Sequence, residues 1–411
     1  VLFQPELEAQ PVEERAALQR RRLAALLERL GHDPDAPLAE LPFTRKADLH
    51  DAYPFGRLAV PLADTIRVHA SSGTHGRPTI VAYTRRDVEI FADVNARAIA
   101  AAGGRPDDVL HVAYGYGLFT GGLGLHFGGE RLGATVVPAS GGNVPLQLTL
   151  LEDLGASGLC CTPSFALLLA EQAADRDIRL RFGLFGAEPW SESLRAKLEA
   201  AWGIDACDIY GLSEVIGPGV AAECRENKGA LHVFDDHFLP EVVDPQTGKP
   251  TDGLGELVLT TLTREALPLL RFRTGDVTRF VPGPCSCGRT HPRIARFSGR
   301  TDDMLVVRGV NVFPSEIEEV VLAHPALSGH YAIVVDRRAA LAVLEVRCEL
   351  RERGAADTTR AELARRLRER LRLRTEVRVL PPGTLPRQEA GKARRVWERV
   401  DERDPLDPAA V

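Results

Sequence analysis

Between residues 65 and 280, short apolar runs of strand length alternate with stretches whose apolar residues recur at helical spacing. The strand-length runs are Thr65–His69, Thr79–Tyr83, Val109–Tyr114, Ala134–Val137, Gly158–Thr162, Arg181–Phe185 and Asp205–Tyr210. Ser164–Ala174 and Ser191–Ala201 carry the helical spacing between some of them. This alternation predicts α/β layers around substantially parallel sheets, with Gly255–Leu262 as an antiparallel excursion. Upstream, Leu18, Leu23, Leu26, Leu27 and Leu30 fall near helical spacing, and Glu/Arg pairs fill the other face. Pro11–Leu30 is therefore expected to be an amphipathic helix with its proline in the first turn. Leu41–Leu49 reads as a helix start with Thr44 as N-cap.

After about residue 300 the pattern changes. Pro314–Leu322 is helical, Tyr331–Val335 and Leu341–Glu349 are strands around a turn, Asp357–Leu371 is a strongly charged helix, and Glu376–Leu380 is a last strand. The predicted architecture is α/β. A large multi-layer amino-terminal domain with mixed sheets spans 1–300, and a small mobile α+β carboxyl-terminal domain spans 301–411, with the hinge near Gly299–Asp303.

A chain of 411 residues exceeds what one core usually holds. With 51 Lys and Arg against 57 Asp and Glu, the net charge of −6 gives no reason to expect a nucleic-acid partner. No apolar run approaches the roughly 20 residues of a membrane span. The 7 cysteines are an odd number without disulfide-framework spacing. Together with an opening that shows no secretory pattern, they lead to the expectation of a reducing, cytoplasmic setting.

Six segments carry candidate chemistry. Ser71-Ser72-Gly73-Thr74-His75-Gly76-Arg77 lies between two strands and is rich in hydroxyls and glycine, so its N–H groups and hydroxyls can wrap a polyphosphate, although a polar hairpin explains it too. Tyr114–Gly122 interleaves aromatics and glycines, which suits a flat apolar slot or a close helix crossing. Phe185-Gly186-Ala187-Glu188-Pro189-Trp190 follows a strand, where α/β sheets border ligand crevices, and a Gly/Pro turn accounts for the same residues. In Asp208-Ile209-Tyr210-Gly211-Leu212-Ser213-Glu214, an aromatic can stack on a base and a carboxylate can hold Mg²⁺. Arg271-Phe272-Arg273-Thr274-Gly275-Asp276 offers Asp276 to ribose hydroxyls, with a charged strand end as the alternative. Pro386-Arg387-Gln388-Glu389-Ala390-Gly391-Lys392 places a lysine beside a glycine, as a positive point charge or a basic surface loop.

In this order the segments resemble the acyl-adenylating (AMP-forming) synthetase superfamily, and most of all the phenylacetate–CoA ligases. Ala113–Gly122, Phe185–Trp190, Tyr210–Glu214 and Arg308–Ser315 are close to that group's wording, and the likeness runs from about residue 40 to near the end. The resemblance implies two half-reactions: a carboxylate displaces pyrophosphate from ATP, and a thiol then displaces AMP. It implies that Ser71, Ser72, Gly73, Thr74, Gly76 and Arg77 hold phosphates and that Glu214 ligates Mg²⁺. Gly186, Ala187, Glu188, Pro189, Asp208, Tyr210, Gly211 and Ser213 would border the nucleotide, and Asp276 would bind ribose. Arg300 and Asp302 would lie at the pivot, Arg300 also beside the nucleotide, and Lys392 would serve adenylation only. His75 and Arg77 stand where the group usually has Thr and Lys, and the stretch from Leu30 to Leu41 is shorter than usual.

Cys285-Ser286-Cys287 is a tight C-x-C turn, and Cys224 and His232 precede it. Three thiolates and one imidazole complete a tetrahedral shell, the mark of a structural Zn²⁺. His237 and His291 are competing ligands, and unrelated reduced cysteines remain the plain alternative. Cys160, Cys161, Cys207 and Cys348 lie in apolar runs and belong to the core.

Tyr116, Phe119, Ala187, Tyr210 and Ile216 are candidate walls of an acid pocket, which favours a small aromatic carboxylic acid. The expected cofactors and partners are ATP, Mg²⁺ and CoA, or the phosphopantetheine of a separate carrier protein, with a homodimer as an open option. The readings from other classes are a non-catalytic nucleotide-binding regulator and a zinc-stabilised interaction protein.

Overall fold

A computed structural model of the chain describes residues 1–71, 78–173, 176–300, 305–307, 310–338, 342–354, 356–387 and 394–406. Its centre is a nine-stranded mixed sheet. Thr135–Val137, Val109–Val112, Gly158–Cys161, Phe182–Gly186 and Asp205–Leu212 run parallel as neighbours in that order. Gly217–Cys224, Asn227–Val233, Arg293–Ala295 and Phe280–Val281 continue the sheet antiparallel. Gly158–Cys161 and Phe182–Gly186 are buried along their whole length, as strands covered on both faces must be.

The sequence builds clear starts for the crossover helices. Thr84 and Asp87 cap Arg85–Ala101 reciprocally at 3.1 Å. Thr162 and Ser191 accept from the third residues of Pro163–Gln172 and Glu192–Trp202. Tyr114–Phe119 is a loop, and Thr120 opens the helix Thr120–Leu132. That helix packs so tightly on Arg85–Ala101 that a Cβ on Gly128 would lie 2.5 Å from the Cβ of Asn95. The Tyr114–Gly122 segment is thus loop in its first part and helix from Thr120.

A second, four-stranded antiparallel sheet is formed by Phe238–Val243, Gly255–Thr261, Phe272–Thr278 and Gly299–Arg300. The antiparallel excursion expected at Gly255 is thus its second strand. Gly299 and Arg300, expected at a hinge, are hydrogen-bonded into this sheet opposite Val277 and Asp276. The carboxyl-terminal domain has its own sheet, in the order Thr375–Leu380, Val343–Leu350, Leu327–Asp336, Val396–Arg399. The helices Pro314–Leu322 and Ala356–Leu371 cover it around a core that includes Ile317, Val321, Ile333, Val346, Leu363 and Leu367. Among the described residues no helix is long and apolar enough to cross a membrane.

One local expectation shifts. Thr44 is not an N-cap: its N–H and hydroxyl bind the carbonyl of Leu270, bridging it to the strand at Phe272. The helix starts at Lys46, where the Asp48 carboxylate accepts from Arg45 N at 2.7 Å. Arg271 and Arg273 are engaged within the fold. They pair with Glu241 and Glu256 and flank the Phe43 ring at 4.1 and 5.5 Å.

The amino-terminal arm is fastened by buried charge. Glu8, fully buried, accepts from Phe3 N, Gln4 N and Arg289 Nε, each at 2.7 Å. Arg15 in the helix Val12–Arg29 reaches Asp235 at 2.8 Å, and Asp235 also binds His291 at 2.6 Å. Arg97 and Asp236 form a doubly hydrogen-bonded pair beneath them, both fully buried. Removing one partner of a buried pair strands the other charge, at a cost of about 3–5 kcal/mol. Glu8→Ala should therefore destabilise the first transition in urea by at least about 3 kcal/mol. A change below about 1 kcal/mol would show that the pair does not fasten the arm.

Candidate active site

The strand Asp205–Leu212 is the last parallel strand and the first to be flanked by an antiparallel neighbour. Its carboxyl end lies where the sheet changes character, the usual location of a ligand crevice. Gly211 is required there by packing: a Cβ would lie 1.8 Å from the carbonyl oxygen of Gly217. Ala187, just past the neighbouring strand, sits at φ +69°, a left-handed conformation that costs a non-glycine residue and marks functional loops.

Tyr210 reaches across to the second sheet. Its hydroxyl donates to Asp276 Oδ2 at 2.6 Å, and Arg300 Nη1 donates to Oδ1 at 2.9 Å. Burial, reinforced by the Asp276 charge, holds the Tyr210 phenol well above its ordinary pKa, so it remains a donor. The Tyr210 and Phe297 rings lie 4.2 Å apart, tilted by 35°. Two sheets, three sequence-distant residues and one carboxylate thus meet at a single point.

Glu214 stands four residues further on and is 4% exposed. Its Oε1 accepts from Ser71 Oγ at 3.2 Å and lies 3.1 Å from Lys46 Nζ. Ser213 Oγ and Thr120 Oγ1 are 3.2 Å apart beside it. The phosphate-loop candidate thereby meets the magnesium candidate through Ser71, its one described member before Pro78. Ser72, Gly73, Thr74, His75, Gly76 and Arg77 lie outside the described residues, as do Asp302 and Lys392.

The loop Gly186–Ser191 borders the same crevice. The Glu188 carboxylate accepts from Ser164 N at 2.7 Å, capping the start of Pro163–Gln172. Trp190 is buried, with the Arg195 and Arg296 guanidinium groups 4.8 and 4.7 Å from its ring. Asp208 lies 3.6 Å from Arg296, and burial pushes its carboxyl up to about 7 despite that cation. Of the pocket candidates, Tyr116 is half-buried with its hydroxyl 3.3 Å from His126 Nδ1. Phe119 is 38% exposed, while Ile216 is 1% exposed and belongs to the core.

Several site neighbours were not evident from the sequence. Lys46 lies in an unremarkable helix start, and its partner Glu214 is 168 positions away. Arg296 carries no motif. Only long-range contacts single them out.

A separate cluster lies on the antiparallel half of the central sheet. The ligand atoms of Cys224, His232, Cys285 and Cys287 all lie within 4.8 Å of one another. Cys224 Sγ and Cys285 Sγ are 3.6 Å apart, and Cys287 Sγ and His232 Nε2 are 3.5 Å apart. His237 and His291 are engaged elsewhere, with Thr263 and with Asp235. Cys160, Cys161, Cys207 and Cys348 are buried as free thiols.

The whole chain has close relatives. A family model described as AMP-binding enzyme matches residues 5–262, and one described as AMP-binding enzyme C-terminal domain matches residues 309–403. The phenylacetate-coenzyme A ligase of Thermus thermophilus is 47% identical over 442 residues, covering 97% of this chain and 99% of its own length. Among solved structures, 2-hydroxyisobutyryl-CoA ligase in its postadenylation state, in complex with R3-HIB-AMP, matches with a TM-score of 0.88 at 28% identity, covering 96% of this chain and 91% of that one. The same enzyme in its thioesterification state, with 2-HIB-AMP and CoA, gives a TM-score of 0.69 at 29% identity, covering 97% and 92%.

Proposed function

The chain belongs to the AMP-binding enzymes, among the phenylacetate–CoA ligases, and on that basis we propose that it joins an aryl or arylalkyl carboxylic acid to CoA with cleavage of ATP to AMP and pyrophosphate. The observation that carries this reading is the match to a phenylacetate-coenzyme A ligase along nearly the full length of both chains. The acid oxygen attacks the α-phosphorus, the bond to the β-phosphate oxygen breaks, and the acyl adenylate forms. The CoA sulfur then attacks the acyl carbon, and AMP leaves with the electron pair of the broken C–O bond.

The site residues suit these steps. Asp276, fixed by Tyr210 and Arg300, is assigned to the ribose hydroxyls, since a carboxylate held on both sides keeps its acceptor lone pairs in one direction. Tyr210 and the Gly186–Pro189 backbone are assigned to the adenine. Ser71 and Glu214 offer hard oxygen donors, and Lys46 Nζ already places a positive charge against Glu214. Mg²⁺ bound there supplies charge neutralisation at the phosphates. Lys392 is assigned to the positive charge beside the α-phosphate, where two anions must approach. Tyr116 and Phe119 are assigned to the acid pocket.

The four-residue cluster is assigned to structural zinc. A tetrahedral ion with Zn–S bonds of about 2.3 Å sets its sulfurs about 3.8 Å apart, and the observed 3.6 Å approaches that edge. Three thiolates and an imidazole leave no open position, so the metal would brace the loop that also carries Arg289.

Two measurements test these assignments. ATP–pyrophosphate exchange should depend on an aromatic acid such as phenylacetate or a benzoate, and the products with CoA should be the thioester and AMP. Lys392→Ala should lower the exchange at least about a hundredfold yet leave thioester formation from supplied acyl adenylate intact. Exchange with no acid of this class would contradict the reading. For the metal, protein purified without chelator should hold one zinc per chain. Cys285→Ser should lose it, with a melting temperature several degrees lower. Zinc-free protein of unchanged stability would remove the assignment.

A further inference from the structure

The two domains meet at the loop that borders the candidate nucleotide crevice. Glu318, in the helix Pro314–Leu322 of the carboxyl-terminal domain, is 6% exposed. Its Oε1 accepts from Ser191 N at 2.8 Å, and its Oε2 accepts from Tyr331 Oη at 2.5 Å. Ser191 is the N-cap of Glu192–Trp202 in the large domain, so the carboxylate sits at the positive end of an eleven-residue helix. Tyr331 is itself 4% exposed, and the Arg395 guanidinium lies 4.6 Å from its ring centre. Arg395 stands three residues after Lys392 and leads directly into the strand Val396–Arg399. Its N–H donors also face the Tyr331 carbonyl at 3.4 Å.

Glu188 lies within electrostatic range of Tyr331, Glu318 and Arg395, and it raises the proton affinity of all three. Burial also raises the Glu318 carboxyl, and the Tyr331 hydroxyl and the Ser191 N–H oppose that shift. Both donors point at the carboxylate, the arrangement that an ionised acceptor requires. Among the described residues, other polar contacts between the domains include Ser315 Oγ, which donates to the Ser298 carbonyl at 2.5 Å. Lys197 Nζ reaches the Leu327 carbonyl at 3.4 Å, and His330 meets Glu171 at 2.9 Å on the surface.

Solved structures of a related ligase include a postadenylation state, a thioesterification state and an open conformation. The whole chain matches the postadenylation state of 2-hydroxyisobutyryl-CoA ligase at a TM-score of 0.88 and its thioesterification state at 0.69, with nearly equal identity. The domain orientation described here therefore corresponds to the adenylation side of the cycle.

We propose that Glu318 is a positioning residue for acyl-adenylate formation: its hydrogen bond to Ser191 N latches the carboxyl-terminal domain onto the Gly186–Ser191 loop, and Tyr331 Oη, in the same domain as Glu318, holds the carboxylate in place for that bond. Through Tyr331 and Arg395, the latch is tied to the start of the strand Val396–Arg399, which follows Lys392 in the sequence. Turning the domain to the thioester-forming orientation takes Glu318 away from Ser191, so the contact serves one half-reaction and not the other. This inference rests on the ligase reading above.

The test separates the half-reactions. ATP–pyrophosphate exchange with phenylacetate reports the first, and CoA thioester formed from synthetic phenylacetyl adenylate reports the second. Glu318→Ala should lower exchange at least about tenfold while the second rate stays within about twofold of the parent. Tyr331→Phe, which keeps the ring under Arg395, should lower exchange by a smaller factor and likewise spare the second rate. An intact second half-reaction certifies that each variant is folded. Equal loss of both rates, or no loss of either, overturns the latch while leaving the ligase reading standing. Absence of both activities in the parent protein overturns the ligase reading and the latch with it.

Discussion

The hydrogen bond from Tyr210 to Asp276 ties the two sheets of the large domain together at the point where chemistry is proposed. Tyr210 belongs to the last parallel strand of the nine-stranded sheet, and Asp276 to the third strand of the antiparallel one. A buried carboxylate is tolerated only when it is fully partnered, and here a phenol and a guanidinium supply the partners. Because Arg300 is one of them, the strand that leads into the carboxyl-terminal domain is registered against the same carboxylate. The geometry of the crevice and the start of the connection between domains are thus set by one anion.

Rigidity is distributed unevenly around that point. On the antiparallel half of the central sheet, Glu8–Arg289, Arg15–Asp235 and Arg97–Asp236 are all buried, and the Cys224/His232/Cys285/Cys287 cluster lies beside them. This half is fastened by charge pairs whose loss is expensive. The contact between domains is different in kind. It rests on one buried carboxylate at a helix N-terminus, the packing of Leu322 among apolar residues of the large domain and a few half-exposed polar contacts, which is the balance expected of surfaces that must both hold and release. The strained backbone of Ala187 sits in the loop that both the crevice and this contact share.

Much of this was legible in the residues themselves. The runs at Gly158, Arg181 and Asp205 became parallel strands within a residue or two, and the first two are buried along their whole length, which leaves a continuous apolar signature. Cys224, His232, Cys285 and Cys287 were brought together as their chemistry suggested, although their spacing alone did not exclude unrelated thiols. What remained hidden was whatever depends on long-range pairing. Thr44 looked like a cap because its local sequence suits one, but a tertiary bridge to the strand at Phe272 claimed it. Arg271 and Arg273, the charges of that strand end, are taken up by Glu241, Glu256 and the Phe43 ring, partners that no local pattern names. Lys46, Arg296 and Glu318 have no local signature, since their partners lie far away in the chain.

The central claim is that an acyl adenylate is held in the crevice through Asp276. Its most direct test is equilibrium binding of a non-hydrolysable phenylacetyl sulfamoyl adenosine to the parent protein and to Asp276→Asn, by titration calorimetry. The prediction is tight binding by the parent and at least about tenfold weaker binding by the variant, a loss of about 1.4 kcal/mol or more. Equal affinity of the two proteins, or no binding to either, would contradict it.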